Sequence, residues 1–75
     1  MQQVQLECGV LRKIRKCKGS ITYCIFGVLN VRGIDISLTY DCNEKNLVIH
    51  DWYKIPLEEN QKIAEEVSTY FETIK

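Results

Sequence analysis

The most distinctive chemistry in this sequence belongs to its four cysteines, Cys8, Cys17, Cys24 and Cys42. Zinc sites usually use closely spaced pairs of cysteines, whereas 8, 6 and 17 residues separate successive cysteines here and the chain holds one histidine. This spacing predicts no metal site and no cofactor. The strand pairing derived below places Cys24 opposite Lys13 and Cys17 at a turn, too far apart for a disulfide. We therefore expect four free thiols.

Catalytic arrangements are also absent from the sequence. Cys17 has Lys16 and Lys18 as basic neighbours that favour a thiolate, but no histidine or carboxylate nearby could serve as its base. His50 and Asp51 are adjacent in sequence, and neighbouring side chains on a strand point to opposite faces. There is no Walker loop, no dinucleotide-binding glycine triplet and no elbow serine. We expect no catalytic residue and no enzymatic activity.

The elements that position these residues belong to one small domain, residues 1–75, because the chain has only 75 residues and an ordinary content of 45% hydrophobic and 27% charged residues. The first strand is predicted to start at Val4. Apolar and polar residues alternate there, with Val4, Leu6, Cys8 and Val10 pointing inward. A bulge between Gly9 and Arg12 is predicted, because the alternation fails after Val10.

Three further strands follow in a meander. A turn at Lys18-Gly19 leads into a central strand, Ser20 to Asn30, that is apolar on both faces. A hairpin turn ending at Gly33 sets Leu29 opposite Ile34. The third strand points Ile34, Ile36, Leu38 and Tyr40 inward, and a fourth runs from Leu47 to Tyr53.

A C-terminal helix is predicted to begin near Ile55-Pro56, because proline is favoured in a first helical turn. Its apolar residues recur at helical spacing and form one stripe, Ile63, Val67, Tyr70, Phe71 and Ile74. We expect an α+β fold: a four-stranded antiparallel β-meander with one amphipathic helix packed on one face.

The opposite face of this sheet has nothing left to cover it. A tryptophan, a phenylalanine and smaller apolar residues on one exposed face exceed what a monomer usually leaves in water. We predict a partner-binding site there, made of Leu11, Phe26, Val28, Val48, His50 and Trp52.

Charge is unevenly distributed along the chain, although the formal net charge is zero. Residues 1–40 carry a charge of +4 and residues 41–75 carry −4. The first hairpin holds a basic patch, Arg12, Lys13, Arg15, Lys16 and Lys18. This patch is either a solvated hairpin tip or a surface that steers the protein toward an acidic protein or a nucleic-acid backbone.

These features predict a non-enzymatic module that binds a protein partner, a second copy of itself, or both. In size and in its lack of catalytic motifs the chain is similar to small inhibitors and adaptors encoded by phages and mobile elements, anti-CRISPR proteins among them. That resemblance implies an anti-defence role. The first alternative is single-stranded nucleic-acid binding, with bases stacked on Phe26 and Trp52 and the basic first hairpin beside them. The second is a small redox or metal protein built on the cysteines. With no apolar run of membrane-spanning length, we expect a soluble cytoplasmic protein.

Overall fold

A computed structural model describes residues 3–75 as one antiparallel sheet with a helix packed across one face. Every strand pairs with the next one along the chain. The α+β fold is therefore confirmed, with five strands in place of four. The strands are β1 (Gln3–Gln5), β2 (Val10–Lys18), β3 (Tyr23–Val31), β4 (Ile34–Asp41) and β5 (Asn46–Ile49). A short 3₁₀ helix (Trp52–Lys54) precedes the helix α1 (Leu57–Ile74).

The predicted first strand is wrong as a single element, since a tight turn at Leu6–Gly9 divides it into β1 and β2. The Leu6 N–H donates to the Gly9 carbonyl at 2.8 Å, and the Gly9 N–H donates back at 3.3 Å. Only glycine fits at position 9, because a Cβ there would lie 2.3 Å from the carbonyl oxygen of Asn30. The alternation of apolar residues continues through this turn, so periodicity alone did not reveal it.

The bulge in β2 exists, but it lies at Lys13 and not between Gly9 and Arg12. Arg12 pairs with Val28 and Arg15 with Phe26, so the intervening stretch of β2 has one residue more than its partner strand. Lys13 itself has a φ of 56°. After the bulge Arg15 returns to the side of the sheet away from the helix.

The hairpin between β3 and β4 turns at Arg32 and Gly33, which both have positive φ, 51° and 89°. Two such residues form the tight turn whose twist suits a hairpin. The register pairs Leu29 with Ile36, two residues further on than predicted. A shift of two residues leaves every side chain on its predicted face, so the inward residues of both strands are as expected.

The core lies between the sheet and α1. The predicted helical stripe is confirmed, with Ile63, Val67 and Phe71 buried and Tyr70 and Ile74 packed at its edge. Sheet residues beneath it are fully or almost fully buried: Leu11, Ile25, Leu29, Val31, Ile36, Leu38 and Tyr40.

Gly27 gives the ring of Phe71 room to approach the sheet. A Cβ at position 27 would lie 3.4 Å from the Phe71 ring and 3.1 Å from a Leu11 methyl group. Within residues 3–75 no helix is both long enough and apolar enough to cross a lipid bilayer.

The predicted fourth strand ends early, because β5 stops at Ile49 and the chain turns into the 3₁₀ helix. The buried side chain of Asn60 holds this turn. Its Nδ2 donates to the carbonyls of Trp52, Ile55 and Pro56 at 2.9, 3.2 and 3.1 Å. These donations satisfy carbonyls that an extended strand would present to a neighbour.

Candidate binding face

The face of the sheet away from α1, called the uncovered face below, has an apolar centre and a polar rim. Phe26 and Val28 are half-buried and Val48 is 45% exposed. An open depression of about 1290 Å³ lies over this part of the sheet. Helix α1 packs on the opposite face of the sheet. The residues that define the face are Arg12, Arg15, Phe26, Val28, Ser37, Thr39, Val48 and His50.

Arg15 shields one side of the apolar centre. It lies directly opposite Phe26 in the β2–β3 register, and its guanidinium carbon is 5.7 Å from the centroid of the Phe26 ring. A cation at this distance over an aromatic ring is attracted by the ring quadrupole. The pair therefore presents an apolar ring and a positive charge side by side.

The predicted basic patch does not form one surface. Lys16 donates a hydrogen bond to the carbonyl of Ile74 at the C-terminus of α1, where a cation complements the helix dipole. The ammonium group of Lys18 lies 5.4 Å from the centroid of Tyr23. Both lysines lie on the helix side of the sheet, because the bulge at Lys13 reversed the alternation in β2. The five basic residues of this patch therefore divide between the two faces of the sheet.

The remaining basic residues lie on the rim of the uncovered face. Arg12 forms an ion pair with Asp35 at 3.1 Å. Asn30 also donates to this carboxylate, and the hydrogen bond from Asn30, followed by that from Arg12, lowers the pKa of Asp35. Lys13 and Arg15 contact no carboxylate within residues 3–75. They are the charges of this rim that are free to meet a partner.

On the β4–β5 side of the uncovered face, polar groups form hydrogen bonds with one another. The Thr39 hydroxyl lies 2.7 Å from Nε2 of His50. The backbone N–H of Ser37 donates to the Asp51 carboxylate at 2.8 Å, and this hydrogen bond lowers the pKa of Asp51. His50 and Asp51 thus have separate partners, and the adjacent pair does not form an acid–base couple.

Two of the six predicted partner-binding residues lie elsewhere. Leu11 is completely buried, since it pairs with Leu29 on the helix side of the sheet. Trp52 lies in the 3₁₀ helix beyond β5 and is 61% exposed, with its ring edge-to-face against Tyr53 at 6.0 Å. Phe26, Val28, Val48 and His50 lie on the uncovered face as predicted.

Sequence reasoning missed a second exposed apolar cluster. It consists of Trp52, Tyr53 and Leu57, which are 61%, 66% and 71% exposed. Pro56 restricts the backbone of Ile55 alone, which is extended, so the sequence carried no clear signal for the 3₁₀ helix before it. The cluster lies in the 3₁₀ helix and in the first turn of α1, so it is separate from the uncovered face.

The cysteines also differ from their predicted positions. Cys17 and Cys24 lie directly opposite each other on β2 and β3, where Lys13 had been expected as the partner of Cys24. Cys8 lies in the Leu6–Gly9 turn, and burial together with the nearby Glu66 carboxylate raises its pKa to about 12. Burial also raises the pKa of Cys42. Residues 3–75 bring no three histidine, cysteine or carboxylate side chains together as metal ligands.

No protein-family model, curated protein or solved structure matches this chain. What the uncovered face can bind therefore follows from its own residues.

Proposed function

We propose that this chain is a non-enzymatic binding domain whose uncovered face contacts a partner protein. The observation that supports this proposal is that α1 covers one face of the sheet while Phe26, Val28 and Val48 stay accessible on the other. An apolar centre with a polar rim is the usual composition of a protein interface. Such a domain acts by occupying a surface of its partner, as an inhibitor or adaptor does, including those of phage and anti-CRISPR type.

The charges of the rim define the chemistry of the partner. Lys13 and Arg15 project from β2 without a carboxylate partner among residues 3–75. A complementary surface therefore places an apolar side chain against Phe26 and acidic side chains beside these two cations. Complementary charge mainly raises the association rate, while the buried apolar anchor supplies most of the affinity.

A second copy of the chain fits this face less well than an acidic partner. A two-fold symmetric dimer through the uncovered face would use the same patch of both copies. It would bring two sets of Lys13 and Arg15 into one interface. Light scattering tests this directly, because a stable dimer would have twice the monomer mass at micromolar concentration.

Single-stranded nucleic acid is the remaining alternative, and it has less support. Nucleic-acid binding is favoured by a strongly basic surface, whereas the formal net charge of this chain is zero. Trp52, the second proposed platform, lies in the 3₁₀ helix outside the sheet. Fluorescence anisotropy with an oligothymidine across a salt titration separates the two functions, because phosphate binding weakens steeply with salt.

The test of the proposal uses the chain as immobilised bait, followed by affinity measurements on each purified protein that it captures. Phe26→Ala should weaken that complex about 30-fold, which corresponds to about 2 kcal/mol. Val48→Asp should weaken it further by placing a charge in the apolar centre. Leu57→Ala is the matched control, since Leu57 is equally apolar and 71% exposed but lies outside the face.

Charge reversal tests the acidic nature of the partner. Lys13→Glu with Arg15→Glu should slow association, and Lys62→Glu on the exposed side of α1 should leave the rate unchanged. The proposal is wrong if the captured protein binds the Phe26 and Val48 variants with wild-type affinity, or if Leu57→Ala weakens binding equally.

A further inference from the structure

Cys17 and Cys24 occupy directly opposite positions on β2 and β3. Opposite residues of an antiparallel pair have Cα atoms about 4.5 to 5.5 Å apart, and their side chains point to the same face. A disulfide needs a Cα separation of about 4.4 to 6.8 Å. The register of the hairpin therefore places the two cysteines at a Cα separation compatible with a disulfide.

One member of this pair, Cys17, is the exposed cysteine among residues 3–75. Cys17 is exposed and Cys24 is half-buried on the side of the sheet away from α1, next to the Arg15–Phe26 pair. Cys42 is 6% exposed. It follows Asp41, the β4 residue opposite Cys24, so it faces the helix side and cannot reach Cys24.

The fourth thiol is held apart from the others. Cys8 lies in the Leu6–Gly9 turn, where its backbone N–H donates to the Glu66 carboxylate at 3.0 Å. Burial and this carboxylate raise the pKa of Cys8 to about 12, which keeps the thiol protonated and a poor nucleophile. The four cysteines thus comprise one directly opposed pair, Cys17 and Cys24, and two thiols that lie apart from it, Cys8 and Cys42.

We propose that Cys17 and Cys24 form a redox-active dithiol that reacts with low-molecular-weight disulfides. The exposed Cys17 sulfur attacks the small disulfide, forms a mixed disulfide and releases one small thiol, which takes up a proton. The Cys24 thiol loses its proton and attacks the Cys17 sulfur, expelling the second small thiol. Two electrons pass from the cysteine pair to the small disulfide, and one intramolecular disulfide forms.

The experiment treats the folded protein with oxidised glutathione, blocks the remaining thiols and measures intact mass. We expect the loss of two hydrogens and two blocked cysteines. Trypsin cuts after Lys16 and Lys18, so the disulfide should join residues 17–18 to residues 19–32. Closing this loop of eight residues should raise Tm by roughly 5 to 15 °C.

Serine variants provide the controls. Cys8→Ser with Cys42→Ser should form the same disulfide and show the same Tm shift. Cys24→Ser should stop at a stable glutathione adduct on Cys17, with no Tm shift of this size. A glutathione adduct on Cys17 of the wild-type protein, a disulfide that includes Cys8 or Cys42, or covalent dimers in place of the intramolecular bond would each overturn the proposal.

Discussion

The two faces of the sheet are built on the same strands and differ in what lies over them. On the helix side Ile25, Leu29 and Ile36 are completely buried. On the other side Phe26 and Val28, which alternate with them along β3, stay half-buried. Adjacent residues of one strand thus have different surroundings. Substitutions on the covered face should lower stability, and those on the uncovered face should change binding with little loss of folding.

The largest effect is expected from Phe71→Ala. Phe71 is completely buried, lies over Gly27 and contacts the ring of Tyr40 with centroids 5.9 Å apart. Removing it should lower the free energy of unfolding by about 3 to 5 kcal/mol, a large share of the stability of a small domain. Urea denaturation measures this loss, and an unchanged midpoint would mean that α1 does not pack on this face.

Leu11→Ala tests the assignment of Leu11 to the covered face. A fully buried leucine loses about 2 to 5 kcal/mol of stability on truncation, whereas an exposed one loses less than about 0.5 kcal/mol. Val28→Ala, at the half-buried centre of the uncovered face, is the matched control. If the Leu11 variant were as stable as the wild type, Leu11 would lie on the uncovered face, as the sequence predicted.

Glu66 links the helix to the Leu6–Gly9 turn, and its effect should depend on pH. Its carboxylate accepts the backbone N–H of Glu7 at 2.7 Å and that of Cys8 at 3.0 Å. Burial acts to raise the pKa of Glu66, but these hydrogen bonds outweigh it and lower the pKa below the ordinary 4.5. The stabilisation is therefore fully present above pH 4.5 and disappears as the pH falls through the lowered value.

Glu66→Gln should accordingly lower Tm at pH 7, and the difference from the wild type should shrink toward pH 3. Glu65→Gln is the control, because Glu65 is the exposed neighbour on α1. A Tm difference for Glu66→Gln that is constant between pH 7 and pH 3 would contradict the role of the charge.

The smallest effect on stability is expected from Phe26→Ala. The ring is half-buried and contacts Arg15, so its removal should lower the free energy of unfolding by about 1 kcal/mol or less. Phe26→Ala and Phe71→Ala each remove one aromatic ring, from the uncovered and the covered face respectively, so their losses of unfolding free energy can be compared directly. If both variants lost the same stability, the uncovered face would be part of the core and unsuited to binding.

Much of the fold could be predicted because local periodicity reflects burial. Two-residue alternation in β3 and β4 identified the inward side chains correctly even though the register was displaced by two residues. The stripe of Ile63, Val67 and Phe71 likewise identified the buried side of α1. These patterns report which side of an element meets apolar surroundings, whatever the partner strand is.

The hairpin formed by β1 and β2 could not be predicted in the same way. Its turn is stabilised by Glu66, which lies 58 residues from Cys8 in sequence, and Gly9 is required by the carbonyl of Asn30 on a different strand. The extra residue at the Lys13 bulge then changed which residues of β2 face the helix, from odd-numbered before it to even-numbered after it. Leu11 lies in the core for these reasons. Cys17 lies opposite Cys24 because residues 19–22 join β2 to β3, in place of the predicted turn at Lys18-Gly19.

The sequence by itself determined that this protein is a small antiparallel sheet with one amphipathic helix, and that one sheet face lacks a cover. These properties follow from hydrophobic periodicity and from the number of elements. The tertiary structure alone decided which side chains share the uncovered face, how the basic residues divide between two faces, and which cysteines meet. Each of these depends on where a turn, loop or bulge lies along the chain, and a shift of one residue moves every later side chain to the other face.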